Sequence, residues 1–170
     1  MTNKLLCLTL ICFLFANYSC SQKNNSENSD TTLSVADSLE VVRGVFAACE
    51  EFAKGNNSLD AEKASEFCLQ SPDFILVENT TLINGFDDVY KNCQNFYAVP
   101  IDSTKLIWTE RNILPLSKNM AHLYGRYDMY IRFKSGEVIH AVPFYSALLK
   151  LESGRWKVLR SHESYEINEN

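Results

Sequence analysis

Two runs of strand-forming residues face each other across a short polar connection near the end of the chain. The first reads His140-Ala141-Val142-Pro143-Phe144-Tyr145-Ser146-Ala147-Leu148-Leu149-Lys150-Leu151. The second reads Arg155-Trp156-Lys157-Val158-Leu159-Arg160-Ser161-His162-Glu163-Ser164-Tyr165. Glu152-Ser153-Gly154 joins them, and a Gly in a short polar link between such runs predicts a hairpin. Two further runs precede it, from Thr104 to Leu114 and from Met120 to Phe133. Lys134-Ser135-Gly136-Glu137 is the turn after the second. The second half of the chain therefore reads as a meander of four long antiparallel strands.

The first half reads as helix. Ser34-Val35-Ala36-Asp37 forms a capping box. Val35, Leu39, Val42, Phe46, Cys49 and Phe52 then recur at spacings of three and four, the period of an amphipathic helix. Lys54 and Gly55 suit its C-terminal end, as a cation on the helix dipole and a left-handed cap. Ser58 or Asp60 caps a shorter helix through Ala61, Ala64, Phe67 and Cys68, stopped by Pro72. Asp73–Asn79 and Leu82–Asn84 read as a short strand pair. Asp87 or Asp88 then caps a third helix with Val89, Tyr90, Cys93, Phe96 and Tyr97 on its apolar face. Helices segregated from an antiparallel sheet define an α+β domain.

The N-terminus reads as an address. Lys4 precedes an apolar run, Leu5 to Ala16, which is too short to span a bilayer and fits a secretory signal. Ser19-Cys20 resembles the lipobox of bacterial lipoproteins, with Asn17 where Leu is usual. That resemblance implies lipidation at Cys20 and attachment to a bacterial membrane, on the periplasmic or surface side. The alternative is a plain secretory peptide and a soluble product. Residues 21–32 contain no apolar side chain and read as a solvated tether. The expected division is a signal peptide over 1–19, a tether over 20–33 and a domain over 34–166.

Composition limits the partners. A net charge of −5 and the lack of a basic stripe argue against nucleic acid. Beyond the leader, Cys49, Cys68 and Cys93 form no metal-binding spacing, and all three fall in stretches read as helical. Three thiols allow at most one disulfide, against the simpler reading of small buried hydrophobes. No metal and no cofactor is expected.

Four pieces in fixed order carry a likeness to a known family. They are the helix closing on Lys54-Gly55-Asn56, the strand Pro72–Asn79, the step Leu82-Ile83-Asn84-Gly85-Phe86-Asp87-Asp88-Val89, and the end Gly154-Arg155-Trp156-Lys157-Val158 with His162-Glu163-Ser164. Over residues 34–166 the chain resembles the NTF2-like (cystatin-like) superfamily, in particular its SnoaL-like and DUF4440-type branches. The resemblance implies a cone of three N-terminal helices on a strongly bent antiparallel sheet, enclosing a cavity. Members isomerise, cyclise or hydrolyse small molecules there, or only bind them, and many dimerise through the outer sheet face. Ketosteroid isomerase, in that superfamily, uses a carboxylate base with Tyr and protonated Asp as oxyanion donors. The corresponding positions here fall on Asn79, on Ala48 or Cys49, and near Ser146, so that chemistry is not expected.

The same alignment turns His122, Tyr124, Arg126 and Asp128 into the cavity, with His140, Val142, Phe144 and Ser146 from the next strand and Leu159, Ser161 and Glu163 from the last. It assigns Ala121, Leu123, Gly125, Tyr127, Met129, Trp156, Val158 and His162 to an outer, dimerising face. The expected pocket is Phe46, Val77, Asn79, Tyr124, Arg126, Phe144, Ser146, Leu159, Ser161 and Glu163. The polar row on the Tyr124 strand reads as a solvated face with cross-strand ion pairs. Two further readings are His122 or His140 as acid/base with Arg126 holding an anion, and Arg126 with Glu163 in a buried non-catalytic network. The functional expectation is binding of a small, partly apolar ligand or a protein partner without catalysis. The alternatives are a cofactor-free SnoaL-like enzyme and a dimerising structural module of the envelope.

Overall fold

The computed structural model describes residues 33–165. The expected signal peptide, Cys20 and all but the last residue of the expected tether lie outside the described residues, and so does Glu166. Within them the order is α1 (Val35–Asn57), α2 (Ala61–Ser65), β1 (Ile75–Glu78), β2 (Thr81–Asn84), α3 (Phe86–Ala98), β3 (Ile101–Ser117), β4 (Met120–Phe133), β5 (Val138–Ala141), β6 (Phe144–Glu152) and β7 (Arg155–Ser164). The strands form one sheet in the order β2-β1-β7-β6-β4-β3, and β5 pairs with β4.

The sheet is mixed rather than antiparallel throughout. β1 lies parallel to β7, with Ile75 opposite Arg160 and Glu78 opposite Glu163, so the early strand pair docks on the last strand. The His140–Leu151 run divides into β5 and β6 at Val142-Pro143, because Pro has no N–H to donate to a ladder.

Helix ends depart from the sequence reading in three places, the first being α2, which ends at Ser65 and leaves Phe67 and Cys68 outside it. Gly55 is not the terminal cap, since α1 runs on to Asn57 and Leu59 takes the positive φ. Gly55 instead lets α2 approach, because a Cβ there would overlap the Lys63 carbonyl. α3 starts after Gly85, with no side-chain cap from Asp87 or Asp88. Elsewhere the local chemistry matches. The Ser34 hydroxyl accepts from the Asp37 N–H at 3.1 Å, and Asp60 caps α2.

α1 lies across the concave face of the sheet. Val41, Val45, Cys49 and Ala53 pack there against Leu106, Ala121, Leu123, Tyr127, Tyr145, Ala147, Leu149, Trp156 and Val158. Trp108 pins the helix by donating from Nε1 to the Cys49 carbonyl at 3.0 Å. α3 packs on α2 and β2. Leu76, Cys93 and Met129 are half-buried and pack against this core. Cys49 and Cys93 are on helices, while Cys68 lies in an extended segment bridged to Val158. All three are free thiols.

Candidate functional site

Strand alternation decides what the concave face carries. On β4 the buried residues are Ala121, Leu123, Gly125 and Tyr127. His122, Tyr124, Arg126 and Asp128 therefore point outward, opposite to the sequence reading. On β6 the buried set is Tyr145, Ala147 and Leu149, which turns Phe144 and Ser146 outward as well. A register shift between Leu148 and Leu149 makes Leu159 the extra residue of a bulge in β7. Trp156 and Val158 thus face the core ahead of the bulge, and Ser161 and Glu163 face it beyond the bulge.

The remaining expected residues are placed as follows. His122 meets the Ser146 hydroxyl at 2.9 Å on the outer face. His140 contacts Asp128 at 2.7 Å and stacks on Tyr130 with ring centroids 4.3 Å apart. Arg126 lies exposed beside Glu110 and Phe144 in register. It shares no face with Glu163. Phe46 is covered by the Arg111 guanidinium, 3.5 Å from its ring centroid. Val77 faces away from Leu76 and Glu78. Asn79 is a turn residue with φ 51, and its side chain accepts from the Tyr165 N–H at 3.1 Å.

The polar groups of the concave face gather at the end where β1 and β7 finish. Tyr127 and Glu163 lie within interaction range of one another. Tyr165 donates to Glu78 Oε1 at 2.8 Å. The parallel register places Glu78 level with Glu163. Burial raises the Glu163 pKa from its ordinary 4.5 to about 7, the charge of Glu78 adds to the rise, and the Tyr127 hydroxyl opposes it. Burial also holds the Tyr127 and Tyr145 hydroxyls well above their usual range. Glu163 is largely surrounded by protein yet keeps some accessible surface. Behind it, Phe52, Phe67, Trp108, Tyr127 and Tyr145 form one aromatic cluster, with centroid separations of 4.9 Å for Phe52–Phe67 and 5.1 Å for Trp108–Tyr127. These rings fill the centre of the cone, and the carboxyl–tyrosine group stands at its mouth, where β1 and β7 finish.

The mouth can donate through protonated Glu163 and the tyrosine hydroxyls, and it can accept through Glu78. The groups acting electrostatically on Glu163, Tyr127 and Tyr165 are acids and tyrosines. An anionic ligand would be repelled there, and a neutral one would not. Among the described residues no group of three or more His, Cys, Asp or Glu side chains is arranged to hold a metal ion. Glu78, Tyr127, Tyr145 and Tyr165 were absent from the sequence-derived pocket. The apolar parity of Ala121-Leu123-Gly125-Tyr127 is the signal that points to Tyr127.

No family model and no curated protein sequence matches the chain. Solved structures do. An NTF2-like superfamily protein from Salmonella enterica serovar Typhimurium aligns with TM-score 0.68 at 12% identity, over 78% of this chain and 95% of that one. An NTF2-like protein of unknown function from Shewanella oneidensis aligns with TM-score 0.59 at 21% identity, over 73% and 98%. A type 3 hexachlorocyclohexane dehydrochlorinase from Novosphingobium barchaimii aligns with TM-score 0.65 at 10% identity, over 79% and 92%. The protein is thus an α+β cone of helices on a curled mixed sheet. Its fold is that of the NTF2-like superfamily.

Proposed function

We propose that the domain binds a small, neutral, partly apolar molecule at the mouth of the cone. The observation that carries this reading is the Glu163–Tyr127 pair, a buried carboxyl and a phenol beside half-buried apolar walls. Such a pair offers hydrogen bonds to a carbonyl or hydroxyl oxygen, and Leu76, Cys93 and Met129 offer apolar contact. The N-terminal sequence supports export and a lipid anchor at Cys20, which would hold this binding domain at a bacterial membrane. The outer sheet face carries exposed Leu114, Tyr124, Val142 and Phe144, which supports a homodimer through that face. Native mass spectrometry on the full chain, purified from its own host, tests the binding reading. A retained neutral mass is expected in the wild type and should be lost from a Tyr127→Phe/Glu163→Leu double variant. Equal retention by both would refute it.

A second reading is proton-transfer catalysis, favoured on two grounds. A carboxyl with pKa about 7 exchanges protons readily near neutral pH, and one structural neighbour is a dehydrochlorinase. Conversion of the recovered ligand, with a rate inflection near pH 7 that Glu163→Gln abolishes, would establish it. A ligand recovered unchanged would leave binding alone.

A further inference from the structure

The outer sheet face holds a cationic patch that the mouth does not use, and Ser146 is its centre. In register, Ser146 lies between Tyr124 on β4 and His162 on β7. Its diagonal neighbours are Arg126 and His122 on the β4 side, and Arg160 and Ser164 on the β7 side. Arg126 and Arg160 therefore stand at opposite corners around Ser146. Diagonal neighbours on one sheet face are about 7–8 Å apart, within reach of a long side chain. Both guanidinium groups can thus reach the space over Ser146. Beside it Tyr124 and Phe144 are each 40% exposed, and offer a ring surface next to the cations.

The surroundings differ from those of an ordinary solvated strand face. None of the residues adjacent or diagonal to Ser146 on this face is acidic, in a chain of net charge −5. The cations are also unspent. Arg126 and Arg160 are exposed, and neither forms an ion pair or a side-chain hydrogen bond among the described residues. Glu110 stands opposite Arg126 in register without bridging to it, and Asp128 is held by His140 at 2.7 Å. A donor is left over as well. His122 Nε2 meets Ser146 Oγ at 2.9 Å. A neutral imidazole has one N–H and the hydroxyl one O–H, and their mutual bond uses only one of the two. The other has no partner among the described residues.

We infer that this patch binds a small phosphate monoester, with the dianionic head over Ser146 and the organic part along Tyr124 and Phe144. A tetrahedral head offers oxygens to guanidinium groups that approach from opposite sides. A carboxylate presents both oxygens on one edge and suits a single fork. The mouth beside Glu163 repels anions, so the two sites take different ligands. The outer-face site is complete within one chain and does not rest on the dimer reading.

Calorimetry on the full chain with phenyl phosphate and with benzoate, at pH 8 in buffer free of phosphate and sulfate, tests this. Phenyl phosphate is expected to bind at least tenfold tighter than benzoate. Arg126→Gln and Arg160→Gln should each weaken it at least fivefold with the urea midpoint unchanged. Arg155 lines a separate groove along α1 and has no ion pair among the described residues, so Arg155→Gln is the control and should leave the affinity as it was. Equal affinity for the two ligands, indifference to either Arg126→Gln or Arg160→Gln, or a loss in Arg155→Gln as large as theirs would overturn the inference. So would the absence of binding at millimolar phenyl phosphate. Phenyl phosphate left unbound while vesicles containing phosphatidate are captured would assign the patch to a membrane surface and overturn it too.

Discussion

Replacing Glu163 by Gln removes an ionisable group and keeps an oxygen for the Tyr127 hydroxyl. In the folded chain the Glu163 pKa stands at about 7 against an ordinary 4.5. Between those values the native state holds a proton that the unfolded chain has released, so stability falls as pH rises through that window. At about 1.4 kcal/mol per pH unit the full cost above pH 7 is about 3 kcal/mol, and contact with water at the accessible edge of the side chain reduces it to about 1–2 kcal/mol. Urea unfolding at pH 5, 6, 7 and 8 measures it. The two proteins should be close in stability at pH 5 or below. Glu163→Gln should gain steadily on the wild type to pH 7 and hold a constant lead beyond. A difference independent of pH, or a variant that loses ground as pH rises, would refute a buried, protonated Glu163.

Other outcomes follow from the same geometry. Burial pushes the Cys49 and Cys68 thiols up to about 12, so iodoacetamide at pH 8 should label them only as fast as the protein unfolds; rapid labelling of native protein would contradict their burial. Gly55→Ala must separate α1 from the α2 backbone and should cost about 1–3 kcal/mol in urea unfolding, where an unchanged midpoint would remove that role. Tyr124→Glu with Phe144→Glu, both on exposed outer-face positions, should change monomer stability by less than about 0.5 kcal/mol. The pair should convert a sedimenting dimer to a monomer, and a wild type already monomeric at 100 µM would end the dimer reading.

The succession of elements was legible because each segment carries its own period. α1 repeats apolar residues every three or four positions, and the strands alternate. The parallel docking of β1 on β7 was not legible, since pairing across 85 residues leaves no local mark. Facing was legible but misread. Ala121, Leu123, Gly125, Tyr127 and Met129 form the less polar side of β4, and an apolar side packs on the core before it seeks a second subunit. Alignment by resemblance overrode that pattern and turned His122, Tyr124 and Arg126 inward. Ser161 and Glu163 lie on the concave side only because a bulge at Leu159 reverses the alternation set by Trp156 and Val158, and a bulge of that kind has no Gly or Pro to announce it. The pairing of Glu163 with Tyr127 depends on three strands at once and could not be read from any one of them.

The central claim is that the mouth beside Glu163 binds a neutral ligand. Amide chemical-shift mapping of the full chain during titration with 4-hydroxyacetophenone, a neutral ring bearing a carbonyl and a hydroxyl, tests it most directly. The expected shifts centre on Glu78, Cys93, Tyr127 and Glu163 and disappear in the Tyr127→Phe/Glu163→Leu variant. Shifts confined to the α1 groove or the outer sheet face, or none at millimolar probe, would contradict the claim.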